Sequence, residues 1–347
     1  METNIYDHYI AIDWSAKVMA IARMTGKSNE IKVFEAPSDV GELKVYLRSL
    51  KGQIILTLEE TTTAQWLYTE LKDCVDKIVI CDPYRNKLLN EGAKTDKIDA
   101  TKLVRLLRAG LLKQVYHSCE KFLYLRRLVS GYEDLVKSGV CVKNQRYSLL
   151  RAYGLMGTEK LGVKLTGSEQ YVLKGLERRI IAYEEEKKGY EEEFKRIARK
   201  YKEIRDQDSL SGIGVIGAVK IVSRVVSPYR FVTKGQYLSY CGLIKLDRCS
   251  GGVSYGKKIS RYSRQLKAVY KTAIEAAIGG NNPINDYYEY LINEQGYDQK
   301  RAKNKACRYL ATLSLGVFKS GKRYQPYKQP YRRDLIVDHS RQAVSGL

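Results

Sequence analysis

The spacing of the apolar residues changes near residue 99, and this change limits the possible folds more than any other feature of the sequence. Before it, short apolar runs at 9–12, 31–34, 54–58 and 77–81 alternate with segments of helical spacing such as Val40–Leu50. Short buried strands that alternate with helices are typical of a mixed α/β sheet with helices packed on it. After residue 99 the spacing stays helical for about a hundred residues.

On this pattern we divide the sequence into four regions. We expect an α/β domain over residues 1–110, a helical region over 111–206, a mainly α-helical domain over 207–325 and a basic flexible tail over 326–347. The helical region carries a heptad-like seam with one lysine interruption, formed by Tyr183, Lys187, Tyr190, Phe194, Ile197, Tyr201 and Ile204. The seam fits an antiparallel helical hairpin or a coiled-coil arm used for dimerisation, and the sequence favours neither.

Two segments of the last third suggest contacts with nucleic acid. Residues 211–218 resemble the turn of a helix-hairpin-helix motif, in which Gly212 and Gly214 would let the backbone N–H groups approach a DNA phosphate. The segment Lys319–Arg333 is basic and rich in tyrosine, and it contains two of the six prolines. We interpret it as a flexible extension that contacts nucleic acid.

The basic charge lies mostly in the later regions of the chain. Residues 1–110 carry 16 basic and 16 acidic side chains, whereas residues 207–347 carry 24 basic and 9 acidic ones, and the whole chain has a net charge of +22. A basic field over two thirds of a chain indicates a polyanionic partner, although a basic surface can also be inert.

Several other classes of protein are disfavoured by the composition. The seven cysteines include no C-x-x-C pair, and the three histidines, His8, His117 and His339, stand in no recognisable motif, which argues against a disulfide framework, His-based triads and zinc hydrolases. Cys241 and Cys249 have no histidine near them in sequence. Without a run of about 20 apolar residues or a signal-peptide layout, we expect a cytoplasmic protein with no membrane partner.

Four carboxylates stand where open α/β sheets usually carry their sites. Asp13 and Glu60 each follow a predicted strand, and Asp96 and Asp99 lie three residues apart on one side of a predicted helix. Neighbouring carboxylates repel unless a cation lies between them, and oxygen-only ligands favour Mg²⁺ or Mn²⁺. Taken alone, Asp13 also suits a strand end, and the other two suit the cap and first turn of a helix.

The order of these carboxylates resembles the DEDD domain of the insertion-sequence-110-type transposases, whose relatives include the Piv-type DNA invertases. The motifs that carry the resemblance are Ala11–Ser15, Glu60–Trp66, Cys81–Pro83 and Lys94–Ala100. It implies an RNase H-like fold of the RuvC kind for the first region. It also implies a metal-binding quartet of Asp13, Glu60, Asp96 and Asp99.

The glutamate of this quartet has a rival. Glu59 directly precedes Glu60, and either could end the strand. We prefer Glu60, because the family's glutamate, threonine-rich turn and aromatic residue then fall on Glu60, Thr62 and Trp66.

A serine in the last third is the candidate nucleophile. Ser250 precedes Gly251-Gly252 and is followed by basic residues, here predicted to form a helix suited to a phosphate. On the motif alone, a simple tight turn explains Ser-Gly-Gly better than a nucleophile does. The same transposase family carries a Gly-Leu pair, a Ser-Ser-Gly turn and a basic helix, and these correspond here to Gly242-Leu243, Ser250-Gly251 and 256–261.

This second motif departs from the family at one position, since Cys249 replaces the first serine of the pair. We assign the nucleophile to Ser250 and keep Ser254, Tyr255 and Ser260 as substitutes. The resemblance implies that cations near this serine contact nucleic acid, namely Arg248, Lys257, Lys258, Arg261 and Arg264.

The resemblance implies a serine recombinase that cuts and rejoins DNA through a phosphoserine link, with Mg²⁺ (or Mn²⁺) on the quartet. Its site would combine two domains from different copies of the chain, in a dimer and, in the synaptic complex, a tetramer. The implied partners are donor DNA, target DNA and a structured non-coding bridge RNA. The alternatives are an RNA-independent site-specific invertase, a RuvC-like metal-dependent junction nuclease without the serine step, and a non-catalytic nucleic-acid-binding protein.

Overall fold

The structure is a computed structural model, and it describes residues 6–84, 95–117, 121–154 and 166–326. The chain divides into two compact units, Met1–Cys119 and Glu120–Leu347. The predicted mixed α/β sheet in the N-terminal part and the predicted helices in the C-terminal part are both confirmed.

The N-terminal unit is built on a five-stranded sheet in the order β3-β2-β1-β4-β5. The strands β1, β4 and β5 run parallel, and β2 and β3 are antiparallel to their neighbours. This arrangement is compatible with the expected RNase H-like fold. The elements are β1 His8–Trp14, β2 Val18–Thr25, β3 Ile31–Pro37, α1 Val40–Ser49, β4 Ile54–Glu59, α2 Ala64–Leu71, β5 Lys77–Cys81 and α3 Asp96–Arg108.

Each face of this sheet buries its own apolar core. Alternate side chains of a strand point to opposite faces, so Ile10 and Ile12 pack with residues of α1 and α2. Tyr9 and Ala11 lie on the other face and pack with residues of α3. The small side chains on this second face leave room for α3 to lie close to the sheet.

The segment before residue 118 continues the sheet beyond β5. Gln114 forms an antiparallel bridge with Cys81. The Val115 N–H donates to the Ile80 carbonyl at 2.7 Å, and the Asp82 N–H donates to the Lys113 carbonyl at 3.0 Å. These bonds hold 113–115 against the strand that ends beside the carboxylates.

The C-terminal unit is mainly helical and contains one exposed hairpin among the described residues. Its elements are α4 Leu125–Ala152, α5 Gly167–Lys200, α6 Lys202–Asp208, α7 Gly214–Val225, a 3₁₀ turn Pro228–Arg230, α8 Lys234–Tyr240, β6 Leu246–Ser250, β7 Val253–Lys258, α9 Arg264–Ala277, α10 Pro283–Asn293 and α11 Gln299–Ser320. A single large apolar cluster joins residues from most of these helices. None of the helices described combines the length and the apolar composition that crossing a bilayer requires.

The predicted heptad seam packs within the chain. The long helices α4 and α5 run antiparallel, and the ring of Tyr183 lies where a side chain on Gly139 would collide with it, at 2.3 Å from an added Cβ. Phe194 and Ile197 are fully buried, and Lys187 leaves the seam to pair with Glu191 at 3.7 Å. The antiparallel hairpin is therefore present, and the coiled-coil role in dimerisation stays a prediction.

Tyrosine hydroxyls hold part of the helical core together. Tyr237 bonds Tyr270 at 2.6 Å, Tyr270 donates to Ser314 at 2.7 Å, and Ser314 donates to Gln207 at 2.5 Å, all buried. Burial raises the pKa values of Tyr237 and Tyr270 far above their usual range. Some of the many tyrosines therefore serve the core rather than nucleic acid.

Part of the predicted flexible extension Lys319–Arg333 is structured. Lys319 and Ser320 belong to α11, the Lys319 ammonium donates to the Phe231 carbonyl at 2.6 Å, and the Tyr324 N–H donates to Ser209 at 3.0 Å. The expectation of flexibility was wrong for this stretch, because α11 extends further than the charge pattern suggested. Residues 327–347 lie outside the described part of the chain.

Candidate active site

Asp13 and Glu59 lie on the same face of the sheet. Asp13 pairs with Ala20 in β2, and Glu59 pairs with Cys81 in β5. Both partners belong to the apolar cluster that packs on α3. Since paired residues on neighbouring strands share a face, both acidic side chains point to the α3 side, at the ends of their strands.

The first turn of α3 carries the other two aspartates toward this edge. Asp96 and Asp99 are one turn before Ala100 and Leu103, which are buried against the sheet, so both aspartates continue the sheet-facing side of the helix. Thr95 is the N-cap, and its hydroxyl accepts from the Ile98 N–H at 3.3 Å. Because Thr95 already caps the helix, the proposed capping role is not needed to explain Asp96.

Glu60 lies on the other side of the turn from Glu59. It is the first residue after β4, its N–H donates to the Cys81 carbonyl at 2.9 Å, and its carboxylate contacts the His117 imidazole. The Nδ1 atom of His117 is 2.9 Å from the Gln65 side-chain oxygen, in the first turn of α2. The strand register therefore favours Glu59 over our preferred Glu60 as the partner of Asp13, and the preference for Glu60 stays a prediction.

His117 is the residue at this site that the sequence analysis missed. We expected no motif around any histidine, and spacing gave no signal, because His117 and Glu60 are 57 positions apart. They meet because residues 113–115 pair with β5. A contact of this kind depends on the sheet, and a sequence pattern does not show it.

We call the edge of the sheet that carries Asp13, Glu59 and the first turn of α3 the carboxylate edge. All four candidate ligands there offer oxygen donors, which fit a hard divalent cation. In the part of the chain that the structure describes, no three Asp, Glu, His or Cys side chains are close enough together to hold a metal ion. Residues 85–94, which directly precede this turn of α3 and include part of the Lys94–Ala100 motif, lie outside the described residues.

Ser250 lies at the tip of an exposed β-hairpin. It is the last residue of β6 and pairs with Val253, the first of β7. Gly251 and Gly252 between them have φ values of +54° and +77°, the left-handed conformations that a two-residue type I′ turn requires. Every residue of the two strands is exposed. The hydroxyl is therefore accessible to a large substrate.

The predicted basic helix after this serine is wrong. Lys257 and Lys258 lie on β7, Arg261 lies in the following loop, and α9 begins only at Arg264. The reason is the glycine turn, which folds residues 253–258 back onto β6. The period-two alternation of Val253, Tyr255 and Lys257 was the available signal for a strand.

The cations near Ser250 are held in different ways. Lys257 pairs with Asp247 at 3.6 Å across the hairpin, which lowers the net charge it offers. Arg248 and Lys258 are exposed on the strands. Their roles in nucleic-acid binding stay predictions, as do those of Arg261 and Arg264.

The base of the hairpin is fixed to α8. Gly242 has φ +67°, and an added Cβ would lie 2.4 Å from the Tyr262 ring. The Ser239 and Ser260 hydroxyls are 2.6 Å apart, and the Ser263 N–H donates to the Tyr240 carbonyl at 2.8 Å. This explains the glycine of the Gly242-Leu243 motif and leaves Ser260 engaged, so it is a weaker alternative to Ser250.

The two cysteines singled out in the sequence have different environments. Cys241 is buried, and burial raises the pKa of its thiol to about 12, so it is neither ionised nor accessible at neutral pH. Cys249 is exposed on β6 directly beside Ser250.

The helix-hairpin-helix-like turn joins α6 to α7. Gly212, at φ +86°, is required by packing, because an added Cβ would lie 2.1 Å from the Ala273 carbonyl of α9. Gly214, at φ +63°, begins α7 and has no such neighbour within 4 Å. Packing against α9 therefore accounts for Gly212, and the binding of DNA by either glycine stays a prediction.

Comparisons with known proteins place the sheet domain and the hairpin domain among transposases. A family model of DEDD transposases, described as "Transposase", matches residues 10–154, and one described as "Transposase IS116/IS110/IS902 family" matches residues 208–289. Both describe the same family, and together they span most of the chain. The chain belongs to the IS110 family of transposases, as its resemblance predicted.

A curated relative is similar over a shorter stretch. The transposase for insertion sequence element IS1111A of Coxiella burnetii is 23% identical over 188 residues, which cover 50% of this chain and 51% of that protein. The chain thus spans about half the length of the curated relative it matches. The guide RNA, the metal and the serine nucleophile stay predictions.

Proposed function

We propose that this chain is a transposase that cuts and rejoins DNA strands with a carboxylate cluster in its N-terminal unit and a serine nucleophile in its C-terminal unit. The observation that carries the proposal is the shared orientation of Asp13, Glu59 and the first turn of α3. Carboxylates directed to one edge of the sheet repel each other, and a divalent cation bound among them would offset that repulsion.

Asp13, Asp96 and Asp99 are the proposed metal-binding residues, together with Glu60 or its neighbour Glu59. They would hold Mg²⁺ or Mn²⁺, which supplies Lewis-acid stabilisation of the charge on a scissile phosphate. The fold directs these side chains to the same edge of the sheet: Asp13 and Glu59 through the sheet ladder, and the two aspartates of α3 through the packing of Ala100 and Leu103.

Ser250 is the proposed nucleophile. Its Oγ forms a bond to phosphorus, the bond from phosphorus to one strand oxygen breaks, and that oxygen leaves as a hydroxyl after taking up a proton. A hydroxyl of the partner strand then attacks the phosphoserine, which restores the serine and joins the strands. No ATP is needed, because the phosphoserine keeps the energy of the broken phosphodiester. The exposed hairpin supports this role, since it can enter a DNA groove.

The proposed partners are donor DNA, target DNA, a structured bridge RNA and further copies of the chain. The charge pattern supports nucleic acid as the partner, because residues 207–347 carry 24 basic side chains against 9 acidic ones. Arg248, Lys258 and Arg264 would neutralise phosphates near the serine, and Gly214 leaves the start of α7 open to a phosphate.

The test is a search for the covalent link. The protein is incubated with Mg²⁺, end-labelled donor and target DNA and the RNA encoded beside its gene, and then denatured. We expect label bound to protein in the wild type and none in Ser250→Ala or Asp13→Ala, with both variants folded by circular dichroism. Cleavage without an adduct, unaffected by Ser250→Ala, would leave a junction nuclease. An adduct formed equally well without RNA would leave an invertase.

A further inference from the structure

His117 is a buried imidazole at the rim of the carboxylate edge, and its contacts link three elements. Only 4% of its side chain is exposed, whereas 41% of the Glu60 side chain is. Its Nε2 atom contacts the Glu60 carboxylate, its Nδ1 atom lies 2.9 Å from the Gln65 side chain, and its ring centroid is 5.8 Å from that of Tyr68. Two side chains of α2 thus orient the ring toward Glu60.

The position of His117 is set by the sheet. The backbone bonds of 113–115 to Ile80 and Asp82 fix the chain two residues before it. The ring is thereby held beside the short connection between β4 and α2, the connection that carries Glu59 and Glu60.

We infer that His117 is a positioning residue: it holds the Glu60 carboxylate on the α2 side of this connection, away from Glu59, which the pairing of β4 with β5 directs toward α3 with Asp13. The inference rests on the proposed function and deepens it, because it assigns different roles to the two adjacent glutamates. Glu59 belongs to the proposed metal ligands, and Glu60, which His117 holds in place, lies outside them.

A reason for holding Glu60 in this way follows from charge. A second free carboxylate next to Glu59 would add a like charge to the proposed ligands, which already include three aspartates, and would compete for the same cation. The hydrogen bond from the His117 ring gives Glu60 a partner of its own.

The simpler explanation is that Glu60 merely satisfies a buried imidazole. The same structure contains a suitable control, because His8 is also buried and its Nε2 atom bonds the Lys51 carbonyl at 3.0 Å. His8 begins β1, at the opposite end of the strand from Asp13. Removing either histidine deletes a buried ring from the same unit, but only His117 touches the connection of β4 and α2.

The protein also contains a reporter of this site that does not depend on activity. Its two tryptophans, Trp14 and Trp66, form one edge-to-face pair with ring centroids 5.7 Å apart, directly after Asp13 and on α2. All tryptophan fluorescence therefore comes from residues close in sequence to Asp13 and to Glu60, with Trp14 packed on the α1 and α2 face of the sheet. Titration with Mn²⁺ alone, without DNA, measures binding there.

The experiment is a double-mutant cycle on full-length protein, read by Mn²⁺ titration and by adduct formation. We expect His117→Ala to raise the half-saturating Mn²⁺ concentration severalfold, because the released Glu60 carboxylate then competes for the cation. Glu60→Ala should leave this concentration unchanged, and the double variant should bind Mn²⁺ like the wild type, because removing Glu60 cancels the effect of removing its partner. His117→Gln, whose amide can occupy the place of Nε2, should restore most of the affinity. His8→Ala should leave it unchanged.

Three results would overturn the inference. These are an unchanged Mn²⁺ dependence in His117→Ala, a double variant as impaired as His117→Ala, and a loss of binding in Glu60→Ala as complete as in Asp13→Ala, which would make Glu60 itself a ligand. If His117→Ala does not fold, Glu60→Ala and His117→Gln test the same link. Failure of the proposed function gives a different pattern, in which Asp13→Ala and Glu59→Ala alter neither Mn²⁺ binding nor adduct formation.

Discussion

The two places where we propose chemistry are built in opposite ways. The carboxylates stand at the edge of a sheet whose two faces are both packed, and the residues next to them, such as Ala20 and Ala100, are fully buried. Ser250 stands on a hairpin in which every strand residue is exposed, joined to its unit through Gly242 and Ser260 at the base.

Because of this difference, we expect substitutions at the two places to affect stability and activity differently. At the carboxylate edge the same side chains pack the core and align the ligands, so most substitutions nearby will affect both. At the hairpin the supporting residues contribute little to the core, so substitutions can change the reaction while the fold keeps its stability. A substitution can thus remove either the carboxylates or the serine hydroxyl and leave the other group in place.

The largest expected effect is the loss of the DNA adduct when either group is removed. Asp13→Ala and Ser250→Ala are each expected to form no DNA adduct, and a mixture of the two is expected to form it again, because the proposed site takes its carboxylates from one copy and its serine from another. If the Asp13→Ala chain carries a fusion tag, the labelled DNA should appear only at the size of the tagged chain, which retains Ser250.

The control is a mixture of either variant with the double variant Asp13→Ala/Ser250→Ala. This mixture should stay inactive, because one of the two groups is then missing from every copy. An inactive mixture of the two single variants, while wild-type protein is active under the same conditions, would show that both groups act within one copy.

A second prediction concerns the packed half. Leu103 of α3 is 4% exposed and packs on the face that carries Asp13. Leu103→Ala should lower the free energy of unfolding of the N-terminal unit by about 2–5 kcal/mol, through lost burial and the cavity it leaves. Tryptophan fluorescence in a denaturant titration measures it selectively, since both tryptophans lie in this unit.

The matched change in the hairpin is Tyr255→Ser. Tyr255 is 67% exposed on β7, so the unfolding free energy should change by no more than about 0.5 kcal/mol. A large loss of stability in Tyr255→Ser, or a negligible one in Leu103→Ala, would contradict the contrast between the two regions.

The parts of this fold that the sequence predicted are those with a strong local pattern. The apolar runs that became β1, β4 and β5, and the helix from Asp96, have a clear period and clear ends. The strand Val18–Thr25 was missed, because Arg23 and Thr25 interrupt its apolar run. The hairpin around Ser250 was mistaken for a turn and helix, because its polar strands lack a buried face.

The candidate site could be predicted only as separate pieces. Strand ends and helix starts identified the carboxylates by position, yet the choice between Glu59 and Glu60 depends on which face of β4 packs on α3. That is a property of the ladder with Cys81. The contact of His117 with Glu60 depends on an edge pairing between 80–82 and 113–115, which no spacing reveals.

The smallest expected effect tests how firmly the hairpin must present Ser250. Gly252 has φ +77°, where a side chain costs about 1–2 kcal/mol, so Gly252→Ala should destabilise the type I′ turn locally. If the turn must be formed for attack, a destabilisation of about 1 kcal/mol should slow adduct formation by about fivefold. The unfolding transition should stay in place, because the hairpin adds little to the core.

Gly251→Asn is the matched control, since asparagine tolerates the left-handed conformation and Asn-Gly is a preferred sequence for this turn. Adduct formation in Gly251→Asn should therefore remain close to that of the wild type. If both variants reacted at the wild-type rate, the turn would not govern the position of the serine. If Gly251→Asn were as slow as Gly252→Ala, the glycines would be needed for close approach of the DNA backbone rather than for the turn, because asparagine adds bulk without straining the backbone.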